Sequence, residues 1–498
     1  MIEAFAEGMV RDLGLQAGVE LPRVRVTDDG SRLPSPYPVE VAAAVSVGAA
    51  TAAAAAMRGL DAEIDVREAL AAFLDERLFT IDGKSKNLWS PFSGDYRTAD
   101  GWVRLHCNFD HHRDAVFEAL GTEEIGAACA SRTSLEIERA VTEAGGCAAA
   151  LKTPEEWRRD PRSRAVAGLP LVRMRRVGEG PARRRETPRV LDLTRVIAGP
   201  VATRTLAAYG ADVLKVGMPG LPEVDGLVIS TAFGKRSCHL DPGDGAFARL
   251  VEQADVVVRA VRPGALGVVD EVARRTPGLI VVDITAYGPA GGRGFDSLVQ
   301  MATGLAWGDP PRPLPAQVLD HATGYLAAFG AMAALLRRQE EGGSWRVELS
   351  LARTAQWLAE LSQTGTTRPE VERGEAGAVP VSGGGSGQAG RARQGGERGE
   401  AGTAGELEPT AKARLGDERR VGTVPPIGEP AQVAEEPKPS GESAKGVDVS
   451  GLMGEMDSAF GRLGYVLPPG RVGGWRPGWG TAPPRQGEHA PEWLTYPS

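Results

Sequence analysis

The sequence predicts an α/β protein with three parts: a Rossmann-like, doubly wound parallel-sheet domain over 186–362, a small α+β domain over 86–180, and a long disordered linker over 363–446. Three observations predict them. Apolar runs (RVLDLTRV, ADVLKV, ADVVVRAV and LIVVDITAYG) alternate with helical segments such as TRTLAAYG and AFARLVEQ, and strands covered on both faces read as unbroken apolar runs. YRTADGWVRLHC has strand–turn–strand character around Asp100-Gly101 and leads into a helix, HHRDAVFEALG. Finally, no aromatic residue occurs between Trp357 and Phe460, so that stretch cannot bury enough apolar surface to offset the entropy of ordering its backbone.

Taken from the N-terminus, MIEAFAEGMVRDLG is acidic where a secretory leader needs a basic start and an apolar core, which points to a cytoplasmic protein. Residues 41–57 are uncharged but mostly Ala, too weakly apolar to favour insertion into a membrane, and read as a buried helix. The first strand-to-helix turn of the α/β domain, VIAGPVAT, holds one glycine rather than GxGxxG, and no acidic residue follows the second strand to hold a ribose. A dinucleotide site is not expected. In the linker, SGGGSG has no strand before it and no helix after it, and reads as a spacer.

Charge and cysteines narrow the function classes. The 57 basic and 65 acidic residues give a net charge of −8 with no basic block, which argues against nucleic acid as a partner. Cys107, Cys129, Cys147 and Cys238 show no metal-ligand spacing and read as reduced thiols, so no metal site is expected.

Asp320 precedes the long Ala/Leu-rich segment HATGYLAAFGAMAALLRR and sits about where an N-cap belongs. The positive end of the helix dipole would keep a carboxylate there ionised and oriented. Held in a dry cleft, it could act as a nucleophile toward an activated acyl group. A capping aspartate with no chemistry fits the same spacing.

The order of the surrounding motifs carries a resemblance. RVLDLTRVIAGPVATRTLAAYGADVLKV, GKRSCHLD, ADVVVRAVRPGAL, VDITAYGPAGGRGFDSLVQMATGLAWG and PLPAQVLDHATGYLAAFGAMAALLRR together resemble the class III CoA-transferases, the formyl-CoA/carnitine-CoA transferase type. The likeness resumes at APPRQGEHAPEWL, so that 447–498 is expected to return to the α/β domain, and FSGDYRTADGWVRL and TPEEWRRDPRSRAV look like the family's small domain. The resemblance implies an enzyme that moves CoA from an acyl-CoA thioester to a carboxylic acid, with Asp320 as nucleophile and an aspartyl anhydride and an aspartyl-CoA thioester as intermediates. It implies that Val196, Ile197 and Ala198 lay the CoA diphosphate across a helix N-terminus, and that Lys235, Arg236 and Arg262 serve CoA phosphate or a structural turn. No tightly bound cofactor is implied; the CoA thioester is substrate.

The sequence departs from the family's pattern at Gly217, Met218 and Pro219, where an acidic residue and an arginine are usual, and in placing the small domain first. VEVAAAVSVGAATAAAAAMRGLDAEIDVREAL resembles LDHATGYLAAFGAMAALLRRQEEGGSWRVELSLARTA, so 1–85 reads as a degenerate half-copy, with Glu40, read as a surface capping residue, near the place of Asp320. A chain that carries its own second copy is expected as a monomeric pseudo-dimer or a homodimer. Two other functions follow from these departures. One is a catalytically silent acyl-CoA-binding or assembly protein. The other is an acyl-CoA racemase, which needs an imidazole where this sequence has Phe295; His321 is the remaining histidine, expected to face solvent or cap its helix.

Overall fold

The computed structural model describes residues 2–261, 264–363 and 446–495. Arg262 and the segment expected to be a linker lie outside the described residues.

Seven strands form the main sheet in the spatial order Lys235–His239, Asp212–Gly217, Arg189–Leu193, Val256–Arg259, Ile280–Thr285, Ser344–Ser350 and Arg173–Gly178. The first six are parallel, with Val190 opposite both Val213 and Val256. They are parallel because helices join them and cover both faces, so Val190, Leu191, Val213, Leu214, Val257, Val258, Ile280 and Val282 are all buried. The seventh strand, Arg173–Gly178, is antiparallel to Ser344–Ser350. Although the sequence groups it with the small domain, Arg173 and Arg175 pair with Glu348 and fix it to this edge.

From Arg189–Leu193 the chain steps outward through Asp212–Gly217 and Lys235–His239, then returns to lay Val256–Arg259 on the other side of Arg189–Leu193. The loops leaving these two neighbouring strands therefore diverge, opening a crevice at their C-terminal ends, where parallel sheets hold ligands.

Among the described residues, two helices are long and apolar enough to cross a membrane, Val39–Ala56 and Val318–Glu341, yet both are almost wholly buried here and pack against each other. Each begins a helix–strand–helix run, Val39–Ala56, Ala62–Asp65 and Val66–Ala72 in one, Val318–Glu341, Ser344–Ser350 and Leu351–Leu361 in the other. Glu40 is not on the surface: it lies in the first turn of its helix, 8% exposed and 3.4 Å from Arg32, and burial raises its carboxyl.

A three-stranded antiparallel sheet of Gly94–Arg97, Trp102–Leu105 and Ala148–Ala150, with helices Asp110–Leu120, Ile125–Ala130 and Ser134–Glu143, stands beside the crevice. Residues 446–495 are shared between the two ends of the chain. Gly461–Val466 pairs with Thr80–Ile81 and Arg471–Val472 with Ala62–Asp65, while Trp493 is buried among Leu191, Leu214 and Leu250 of the main sheet's outer face.

Candidate active site

The crevice is a cleft of about 420 Å³ that brings Asp320 together with Val196, Ile197 and Ala198. The turn comes first. Near the end of Arg189–Leu193 stands Asp192, whose buried carboxylate accepts hydrogen bonds from the Thr194 amide at 3.0 Å, the Thr194 hydroxyl at 2.5 Å and the Thr203 hydroxyl at 2.7 Å. These bonds fold the chain back over the strand end and force Val196 to a φ of 73°, a conformation that a β-branched residue adopts only when its surroundings impose it. Leu266, also left-handed at 58°, lines the same cleft. Ile197 then starts the helix Ala198–Ala208 with no side chain capping it, so its first amides are open to the cleft.

Two glycines let the parts meet. A Cβ on Gly199 would lie 2.3 Å from Thr194 Cβ, and one on Gly324 would lie 2.6 Å from the Ala198 carbonyl oxygen. The second allows the long helix, one turn beyond Asp320, to press directly on the turn.

Asp320 is the third residue of Val318–Glu341 and not its N-cap, which is Gln317. The side-chain acceptor at this helix start comes from elsewhere: Asp296 Oδ2 receives the Asp320 amide N–H at 2.9 Å. Asp296 is in turn held by Gln300 Nε2 at 2.5 Å. Where the sequence leads one to expect the helix end to favour the charged carboxylate, the surroundings of Asp320 work the other way. Burial, then the neighbouring carboxylates of Asp296 and Glu76, push the Asp320 carboxyl well above its ordinary range, and burial raises Asp296 to about 6. His321 neither faces solvent nor caps the helix: it is buried, with Nε2 2.8 Å from Glu76 Oε2. Burial works to raise Glu76, but the charge and hydrogen bond of His321 outweigh it and hold the carboxyl low.

The basic residues divide. Lys235 does not line the cleft; its ammonium is buried beneath the turn, donating to Asp192 Oδ2 at 2.9 Å, Thr203 Oγ1 at 2.7 Å and the Pro200 carbonyl at 3.0 Å. Burial lowers it to about 8. Arg236 binds Asp212 at 2.9 Å and the Glu492 carbonyl at 2.7 Å, tying the C-terminal segment to the sheet. The cations that do line the cleft are Arg195 and Arg293, neither singled out by sequence. Arg195 adjoins Val196 and lies 5.7 Å from the centre of the Phe109 ring; its place beside VIAGP was the available signal.

Phe109, His111, His112 and Cys147 form the opposite wall, and come from the small antiparallel sheet and its first helix. Phe295, which replaces the imidazole a racemase would need, stacks on His106 with ring centres 3.7 Å apart. His112 does bring an imidazole into the cleft, but its Nε2 is engaged with Cys147 Sγ at 3.6 Å. No group of three or more metal-ligating side chains occurs among the described residues.

Residues 186–383 match the family model described as CoA-transferase family III, a span that contains both the Val196–Ala198 turn and Asp320. The chain is 31% identical over 228 residues to the "Probable fatty acyl-CoA transferase Rv3272" of Mycobacterium tuberculosis, covering 39% of this chain and 58% of that protein. It is 29% identical over 244 residues to a "Formyl-CoA:oxalate CoA-transferase" of Escherichia coli, covering 41% and 59%, and 28% identical over 309 residues to an "Acyl-CoA transferase" of Gibberella moniliformis, covering 51% and 54%. The chain thus spans less than two thirds of the length of these curated relatives. Together these likenesses relate part of the chain to the family III CoA-transferases.

Proposed function

We propose that this chain is a family III CoA-transferase that moves CoA from an acyl-CoA thioester to a carboxylic acid through covalent intermediates on Asp320. The observation that carries the reading is the cleft itself: an uncapped helix N-terminus at Val196–Ala198, suited to a diphosphate, opens into the same space as a buried carboxyl, and the family match spans both.

In this reading Arg195 and the amides after Ile197 hold the CoA phosphates, while the thioester reaches Asp320. The ionised carboxylate attacks the thioester carbonyl and expels CoA thiolate, leaving an acyl-aspartyl anhydride. The thiolate attacks the aspartyl carbonyl, releasing the donor carboxylate and forming aspartyl-CoA. An acceptor carboxylate attacks that thioester to give a new anhydride, and CoA thiolate takes its acyl group, restoring Asp320. The attack needs the ionised form of Asp320, and a carboxylate whose pKa is raised is the stronger nucleophile once ionised.

Lys235 and Arg236 support the turn and the sheet rather than touch CoA. No tightly bound cofactor, a cytoplasmic location, and a monomer of pseudo-dimeric build or a homodimer belong to the same proposal. The resemblance of 1–85 to the Asp320 half, with Glu40 tied to Arg32 outside the cleft lining, is read as a half-copy without a working site.

The test is exchange between acyl-CoAs and free carboxylates, read by mass spectrometry, with hydroxylamine added during turnover. Trapping at Asp320 supports the enzyme. A chain that binds CoA thioesters but exchanges none and is trapped nowhere is the silent binder.

A further inference from the structure

The cleft holds a second nucleophile. Cys147 Sγ lies 3.6 Å from His112 Nε2, and both side chains line the same space as Asp320. The pair is assembled from distant parts of the chain, His112 on Asp110–Leu120 and Cys147 just before the strand Ala148–Ala150. The placement is fixed from both sides: the Cys147 carbonyl accepts the His106 amide at 3.0 Å, and the Arg293 guanidinium binds the carbonyls of Gly145 and Gly146 immediately before it.

The other cysteines provide the contrast. All four cysteines are buried in apolar clusters, Cys147 at 3% exposure included, and burial pushes the thiols of Cys107, Cys129 and Cys238 up to about 12, 11 and 11. These three are inert core residues. Cys147 alone among the four lines the cleft and faces an imidazole nitrogen. Burial, and then the charges of His111, Arg293 and Arg195, lower His112 to about 4, so its ring is neutral and Nε2 can take the thiol's hydrogen bond, although the same burial and charges oppose full protonation. With the thiol proton offered to Nε2, the ring hydrogen sits on Nδ1, a buried nitrogen with no hydrogen-bond partner.

We propose that Cys147 is a second acyl acceptor of this cleft, taking the acyl group of a bound acyl-CoA by thioester exchange with His112 as general base. The Cys147 sulfur attacks the thioester carbonyl while its proton passes to His112 Nε2. The carbon–sulfur bond to CoA breaks, and the departing CoA thiolate takes that proton from His112 to leave as free thiol. One thioester is exchanged for another, so no oxidant or further reactant is needed. The inference rests on the cleft's being an acyl-CoA site, but it does not require Asp320 to be active.

The test begins on the unaltered full-length protein. Under reducing conditions at pH 7, iodoacetamide should label Cys147 at least about tenfold faster than Cys107, Cys129 or Cys238 by peptide mass spectrometry, and CoA should protect it. His112→Gln should slow the labelling by about tenfold or more. The Asp320→Ala protein, which cannot form an aspartyl anhydride, is then mixed with acetyl-, butyryl- and benzoyl-CoA. A peptide carrying the acyl mass on Cys147, lost in the Asp320→Ala/Cys147→Ser protein, supports the proposal. Labelling of Cys147 no faster than that of the other cysteines, or no acyl adduct on Cys147 with any of the three thioesters, overturns it. Carboxylate exchange by the unaltered protein without a Cys147 adduct sinks this proposal alone, whereas a Cys147 adduct without carboxylate exchange sinks the CoA-transferase reading alone.

Discussion

The carboxylate of Asp296 receives the backbone N–H of Asp320 at 2.9 Å, so one acidic residue anchors the helix start that carries another. The bond positions Asp320, and the charge opposes its ionisation. Substituting Asn for Asp296 keeps an oxygen that can accept the N–H and removes the charge. The Asp320 carboxyl should then fall toward its ordinary range, and the acid limb of the pH–rate profile for transfer should move to lower pH. An unchanged limb in Asp296→Asn would mean that another group governs the profile.

The same shifts set the sign of a stability effect. Asp320 and Asp296 are both raised above the ordinary carboxyl value of 3.8, Asp296 to about 6. The folded protein therefore binds more protons than the unfolded chain above that value. Their contribution is fully present below pH 3.8 and is lost as pH rises through the folded values. Asp320→Asn should abolish transfer yet raise the melting temperature at pH 8, with the gain fading below about pH 4. A lower melting temperature at pH 8 would show that the carboxyl group is structurally required.

The parallel strands and the two buried Ala-rich helices were legible because burial on both faces leaves an unmistakable run of apolar residues. Asp320 was legible as a residue at a helix start facing possible chemistry. The upward push on its carboxyl was not, because Asp296, which fixes its amide and opposes its charge, lies 24 positions away on another helix. Lys235 illustrates the same limit. In GKRSCHLD it reads as a cation for CoA phosphate or a structural turn, and only the fold shows that Asp192, 43 positions away, claims it. The wall of His112 and Cys147 left no signal at all, since neither has a spacing that joins it to Asp320. Packing of the small sheet against the helix Asp296–Thr303 creates it.

Lys235 and Asp192 form an ion pair with side chains 1% and 0% exposed. Removing one member leaves an unpaired charge in the interior, which costs about 3–5 kcal/mol. Lys235→Met should therefore lower stability by roughly that amount in chemical denaturation. If the protein stays folded, KM for acyl-CoA should change through distortion of the Thr194–Ala198 turn rather than through loss of a phosphate contact. Its salt dependence should then match that of the unaltered protein. A large KM increase with full stability would return Lys235 to the CoA phosphates.

The turn and the helix that carries Asp320 are held together at Gly324, and the fit leaves no room for a side chain. A methyl group there would stand 2.6 Å from the Ala198 carbonyl oxygen and 3.0 Å from Val201 Cβ, and backbone and a β-branched side chain cannot swing aside as the end of a long residue could. Gly324→Ala must push the long helix away from the turn or tilt the turn itself, an overpacking worth about 1–3 kcal/mol. Either movement changes the distance between the site proposed for the CoA diphosphate and the Asp320 carboxyl, whose separation has to match the reach of one bound thioester. The expected result is a loss in kcat/KM well beyond the loss in stability. The effect should be much smaller on the binding of free CoA, which needs only the turn. Gly330→Ala is the control: its methyl would meet Val347 Cγ1 at 2.5 Å, far along the same helix, and should destabilise without this split. Equal effects of the two variants on kcat/KM, at equal stability loss, would show that the contact at Gly324 serves packing alone.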